Sequence, residues 1–277
     1  MLDKLFCIYA LDSRQLSLNT KPSTVAVQRI GDDAVLDIVG LLSRDGRYEG
    51  GTSTDQVRSE LKRLERDHSV KRIILRVNSS GGMSTGCTDL YDTVVQVTKS
   101  KPIIAVVEDC CCSAAYFIAC GSTKIVANRS AICGSIGTYA ILEDSSRMAE
   151  SYGVEIHVVR AGSFKGIGEP GSKITPEHLA DFQRVIDSIN SDFISAVATS
   201  RKLTADKLQI VSEGRVWKTP DAIRYGLVDA IGDLDSVIAG PAAKKANSND
   251  PSQPFAKFFE RRKEYQMKHG SLPRTSW

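Results

Sequence analysis

Long apolar runs are what this 277-residue chain most clearly lacks. No stretch approaches the ~18 consecutive apolar residues of a membrane-spanning helix. The short run 5–11 behind Lys4 has no small-x-small cleavage site after it, so a secretory leader is not expected either. Histidine is scarce. His68, His157, His178 and His269 are the whole set, and none sits in a Gly-rich turn beside an acid. No Ser-His-Asp triad is advertised, although one assembled from distant segments stays open. The seven cysteines (Cys7, Cys87, Cys110, Cys111, Cys112, Cys120, Cys133) are odd in number, three of them adjacent, with no C-x-x-C pair. That pattern argues against a disulfide framework and a zinc site. They read as small buried hydrophobes in a reducing compartment, with a redox role for residues 110–112 as the alternative. Net charge is only +3, and residues 241–277 hold eight Lys/Arg against three Asp/Glu, which leaves −2 on residues 1–240. The main body therefore has no nucleic-acid footprint. A cytoplasmic protein without metal or cofactor is expected.

What the chain does have is alternation. The apolar content of 42% and charged content of 25% are those of an ordinary globular protein. Residues 24–30 and 34–42 are apolar and β-branched around Gly31-Asp32-Asp33, and read as a hairpin or two neighbouring strands. Residues 55–67 carry Val57, Leu61 and Leu64 at helical spacing. A strand is expected at 70–77, a sharp break at Asn78-Ser79-Ser80-Gly81-Gly82, and a helix capped by Ser84 or Thr85. Strands at 103–107, 124–127, 138–142 and 154–160 alternate with helices after Ser113 and near 145–151. Strand-helix alternation implies a mainly parallel sheet with helices on its faces. Residues 161–174, with four glycines and a proline, form a long loop. Thr175-Pro176-Glu177 then starts a helix with Leu179, Phe182, Ile186, Ile189, Phe193 and Val197 on one stripe. Three regions follow: a lead-in at 1–23, one α/β domain at 24–240, and a polar linker with a basic tail at 241–277.

The chemistry-bearing candidates sit at the joints. Ser113 lies where a buried strand turns into a helix, close to helix N–H groups. That placement suits a nucleophile, and it also suits a plain N-cap. Lys165, in Ala-Gly-Ser-Phe-Lys-Gly-Ile-Gly, has Phe164 and Ile167 beside it. They offer the desolvation a neutral amine base requires; the other reading is a solvated loop lysine. Gly81 and Gly82 are suited to present backbone N–H groups to an oxyanion, or to make an ordinary turn.

Taken together these pieces resemble peptidase family S49, the signal peptide peptidase A-like and phage prohead protease-like enzymes. Asn78-Ser79-Ser80-Gly81-Gly82 is similar to the family's Asn-Ser-Pro-Gly-Gly turn. Ser113-Ala114-Ala115-Tyr116-Phe117-Ile118-Ala119 is similar to its nucleophile helix. Gly134-Ser135-Ile136-Gly137 matches a third segment, Gly162-Ser163-Phe164-Lys165 a fourth, and Gly226-Leu227-Val228-Asp229 the closing one. The resemblance covers roughly residues 20–240. Ser80 in place of Pro and Ala114-Ala115 in place of Gly-Gly are the departures, and they bear on substrate shape.

The resemblance implies a ClpP/crotonase-like α/β spiral of βαβ units. It implies a serine endopeptidase with Ser113 as nucleophile, Lys165 as general base, Ser135 orienting the lysine, and Gly81 and Gly82 forming the oxyanion hole. It implies a homo-oligomeric ring in which the dyad can lie within one protomer or be shared between neighbours. Substrates would be signal-peptide-like, unfolded or capsid and scaffold proteins, the last in a host cytoplasm or procapsid. Cys112, Ala114, Ala115 and Cys133 suggest pockets for small side chains. The alternatives are a catalytically inactive spiral-fold scaffold or binding module, and a crotonase-like acyl-CoA enzyme. The tail at 255–268 is expected to be a basic amphipathic docking helix.

Overall fold

A computed structural model describes residues 5–8, 25–48 and 50–240. The expected linker and docking helix at 241–277, and most of the lead-in, lie outside the described residues. The chain divides into two compact units, Met1–Leu234 and Asp235–Trp277, where the composition change suggested a boundary at 240.

Strand β1 (Leu5–Ile8) lies within the lead-in. β2 (Val27–Ile30) and β3 (Asp33–Ser43) form the expected hairpin. Gly31 turns it at φ 59, a conformation glycine holds at no steric cost. β4 (Thr52–Ser53) leads into α1 (Thr54–Arg66), where Ser53 caps by accepting the Gln56 N–H. The helix buries Val57, Leu61 and Leu64, the stripe read from the sequence.

β5 (Arg72–Met83) departs from expectation. The Asn78–Gly82 stretch does not break the chain; the strand runs through it. The glycines serve close approach rather than a turn. Gly81 sits at φ 111, and a Cβ on Gly82 would lie 2.1 Å from the Leu42 carbonyl oxygen on β3. Helix α2 (Cys87–Val97) consequently starts later, from Gly86 at φ 86, with no side-chain cap from Ser84 or Thr85.

β6 (Ile103–Cys112), α3 (Ala114–Ala119), β7 (Lys124–Ala127), β8 (Ile132–Gly134), β9 (Tyr139–Ala140) and α4 (Ser146–Ser151) follow. The strand expected at 154–160 is absent. Those residues pair with no strand among the described residues and stand in solvent, Val159 being 98% exposed. Apolar alternation alone does not make a strand without an edge to pair with. α5 (Pro176–Arg201) opens on a reciprocal cap: Thr175 Oγ1 accepts the His178 N–H, and His178 Nδ1 accepts the Thr175 N–H. Its Phe193, Ala196 and Val197 are buried, while Leu179 at its start is 52% exposed. α6 (Ala205–Val211), β10 (Val216–Lys218), α7 (Thr219–Tyr225), β11 (Ala230–Ile231) and α8 (Leu234–Ala239) complete the order.

The strands form one eleven-stranded sheet. β3, β5, β6, β7 and β8 pair in parallel, with antiparallel additions at β1, β2 and β10. One face carries Leu36 and Ile38 from β3, Ile73, Leu75 and Val77 from β5, and Ile103, Ala105 and Val107 from β6, all in the main core. On the other face Asp33 faces Arg72 and Asp37 faces Arg76 across β3 and β5. Both are bidentate pairs that hold this register, since a slip of one residue would put every charge in the core.

Leu61 is fully buried between helix and sheet. Leu61→Ala is expected to lower unfolding stability by about 2–5 kcal/mol, read by denaturant titration.

Candidate active site

The site begins with the parting of β5 and β6. The two pair through Ser79 and Cys111, after which β6 ends and turns into α3. Ser113 makes that turn at φ 52 and ψ −122, a region that costs a non-glycine residue roughly 1–3 kcal/mol. Two hydrogen bonds hold it. The Ser113 N–H donates to the Gly134 carbonyl at 2.8 Å, and the Ser113 carbonyl accepts the Phe117 N–H at 2.9 Å. Its hydroxyl caps nothing. The plain N-cap reading therefore has no support, and Ser113 forms a strained strand-to-helix turn.

β8 closes the other side. Cys112 lies opposite Gly134 in the β6–β8 ladder. Gly134 has φ 120, and a Cβ there would come within 2.7 Å of the Arg215 carbonyl oxygen. Ser135 follows at φ 52, its N–H donating to that same carbonyl at 2.7 Å. On the β5 side, Ser79 Oγ donates to the Gly40 carbonyl at 2.6 Å and accepts the Gly81 N–H at 3.2 Å. The Gly81 N–H is thus spoken for by a hydroxyl in this state. Ser113, Ser79 and Ser135 are 1%, 2% and 8% exposed.

Helix α3 is wholly buried. Tyr116 Oη donates to the Leu227 carbonyl at 2.9 Å, and Phe117 stacks on Phe193 of α5. Asp229 accepts the Ile125 N–H and pairs with Arg201. The Gly226-Leu227-Val228-Asp229 segment thereby ties α3, α5 and β7 together behind Ser113.

The structure brings Ser113, Ser135, Gly81 and Gly82 to adjoining strand ends. Lys165 is exposed, on a turn where its N–H bonds the Gly162 carbonyl. No hydrogen bond joins it to Ser113 or Ser135 among the described residues. Its surroundings, residues 141–175, form an arm with Ile141, Met148, Tyr152 and Val159 all more than half exposed. A cavity of about 900 Å³ lies in this arm, lined by Asp144, Arg147, Glu155 and Lys173 among others, and touches none of the expected site residues. Asp144 bridges the arm by accepting from Ser146 and from the Ile174 N–H, and the Ser146 bonds hold its carboxyl at about 2. Cys112, Ala114, Ala115 and Cys133, read from the sequence as lining pockets for small or apolar side chains, are fully buried. Burial pushes the Cys133 thiol up to about 12. His157 is exposed beside Glu155, and His178 is engaged in the α5 cap.

Sequence reasoning missed Gly134 and Ser79 as site-shaping residues. Both lie inside quoted motifs. A glycine directly before a serine at a strand end was the available signal for Gly134.

Residues 96–248 match the family model of Peptidase family S49. The chain belongs to this family. Residues 48–135 also match the Clp protease model. The chain is 27% identical to the chloroplastic serine protease SPPA of Arabidopsis thaliana, over 84% of this chain and 34% of that one. It is 29% identical to Protease 4 of Salmonella typhi, over 76% and 34%. It is 28% identical to capsid assembly protease C of Escherichia phage lambda, over 72% and 46%. The S49 chain thus spans less than two thirds of these relatives' lengths. An enoyl-CoA hydratase from Shewanella pealeana superposes with a TM-score of 0.50 at 14% identity, covering 95% of this chain and 87% of its own. That likeness concerns the fold alone, which is the expected ClpP/crotonase-like α/β architecture.

Gly134→Ala must shift either its own backbone or the Arg215 carbonyl. The variant is expected to lose about 1–3 kcal/mol of stability. Denaturant titration reads the loss.

Proposed function

We propose that the chain is a serine endopeptidase that cuts extended or unfolded polypeptide through a Ser113–Lys165 dyad. The observation that carries the reading is the Ser113 turn: a strained, uncapped serine held by Gly134 and flanked by the glycines of β5. Ser113 Oγ attacks the peptide carbonyl as its proton passes to neutral Lys165. The tetrahedral oxyanion takes N–H bonds from Gly81 and Gly82, the first displacing Ser79 Oγ. Collapse expels the amine, protonated by the lysine, and leaves an acyl-enzyme. Water, deprotonated by the same lysine, then releases the acid. Ser135 orients the amine.

Lys165 reaches Ser113 from a second copy of the chain. The exposed apolar residues of its arm support this, since surface of that kind is ordinarily buried at a contact. The names of the relatives, which include serine and capsid assembly proteases, favour peptide bonds as the target. Capsid or scaffold proteins in a procapsid or host cytoplasm, or signal-peptide-like segments, are the substrates that follow. The scaffold alternative draws on the one-chain position of Lys165 and is decided by the same experiment.

Ser113→Ala and Lys165→Ala are each expected to reduce cleavage of an unstructured protein by roughly 10⁴-fold or more with an unchanged far-UV circular dichroism spectrum. Mixing the two inactive variants is expected to restore part of the activity, because each supplies what the other lacks. Full activity in either variant alone removes the dyad. No recovery on mixing places both groups in one copy.

A further inference from the structure

Where β6 leaves to form the Ser113 turn, it vacates one edge of β5. Residues 81–83 remain a strand, paired on one side with β3 through Leu41–Gly81 and Leu42–Gly82. On the vacated side lies β1, antiparallel, with Ile8 opposite Gly81, Cys7 opposite Gly82 and Phe6 opposite Met83. The far edge of β1 is paired too, Leu5 with Ala140 and Phe6 with Tyr139 of β9. β5 and β9 are thus two facing edges held apart by one strand. Two strand spacings of ~4.8 Å make a gap about 10 Å wide. Gly81 and Gly82 follow the Ser79–Cys111 pair on β5, as Ser113 follows it after β6. The backbone of β1 therefore runs past the glycines that flank the nucleophile. Ser113 itself is 1% exposed, which leaves no room for a substrate as the chain stands.

We infer that Leu5–Ile8 occupies the strand position an incoming polypeptide must take, so that this segment is an internal competitor that substrate displaces from between residues 81–83 and β9. The catalytic consequence rests on the function proposed above; the occupancy does not. Recognition in such a slot is by backbone ladder, which suits extended chains of many sequences. An occupant present in part of the population raises the apparent KM by the reciprocal of the open fraction and leaves the rate at saturation alone.

At Phe6 both edges of β1 are paired, so its N–H serves one ladder or the other, and proline removes that bond. Phe6→Pro in the full chain is expected to lower KM for an unstructured peptide at least threefold with kcat unchanged, while Phe6→Ala changes neither. Amide exchange in residues 79–84 should quicken in Phe6→Pro and be slowed again by an added peptide of residues 3–10. Unchanged KM together with unchanged exchange overturns the inference. If Phe6→Pro fails to fold by circular dichroism, Cys7→Pro is the second variant. If no form labels with fluorophosphonate at Ser113, the peptidase reading falls, and the exchange measurement alone decides the occupancy: faster exchange reversed by peptide sustains it, equal exchange ends it.

Discussion

The hydrogen bond from the Ser113 N–H to the Gly134 carbonyl is the constraint on which the site depends. It joins two strand ends whose backbones are both unusual. Ser113, Gly134 and Ser135 have φ values of 52, 120 and 52. A non-glycine residue does not rest there unless its surroundings leave no alternative. Here they leave none. Behind Ser113 every residue of α3 is buried. Beside Gly134 the Arg215 carbonyl blocks any side chain and receives the Ser135 N–H. The strain in the turn is offset by packing in the core, which is how a serine hydroxyl is kept from capping the helix that follows it.

The same core explains why the C-terminal segments return to the rear of Ser113. Tyr116 is fully buried, and its hydroxyl would lack a partner without the Leu227 carbonyl. Arg201 is likewise compensated by Asp229, which also accepts the Ile125 N–H of β7. Burial and the Asp229 carboxylate act in opposite directions on that guanidinium, and the balance holds it firmly charged.

The two halves of the proposed dyad sit in opposite surroundings. Ser113 belongs to the best-packed part of the sheet. Lys165 belongs to an arm that keeps Tyr152 and Val159 in water at 80% and 98% exposure. α5 crosses between these regimes, half exposed at its first turn and buried at Phe193 and Val197. Its apolar stripe is continuous, yet one chain covers only the later part of it.

Much of this was legible from periodicity and punctuation. The stripe of α1, the Thr175 cap of α5, the β2–β3 hairpin and the strand-helix rhythm each follow from local chemistry, and so does Ser113 as the residue between strand and helix. The errors share a cause. Asn78-Ser79-Ser80-Gly81-Gly82 looks like a turn because glycine serves both turns and close approach. Only the Leu42 carbonyl, from a strand some forty residues earlier, distinguishes the two. Residues 154–160 look like a strand because alternation says nothing of whether an edge exists to receive it. The sequence by itself determined which residues carry hydroxyl, amine and glycine, and the order in which the elements arise, since those depend on neighbours along the chain. The tertiary structure alone decided that β5 runs on past its glycines and that Leu5–Ile8 fills the edge β6 leaves. Each of these turns on pairing between segments that are remote in the chain, and short-range preference carries no record of it.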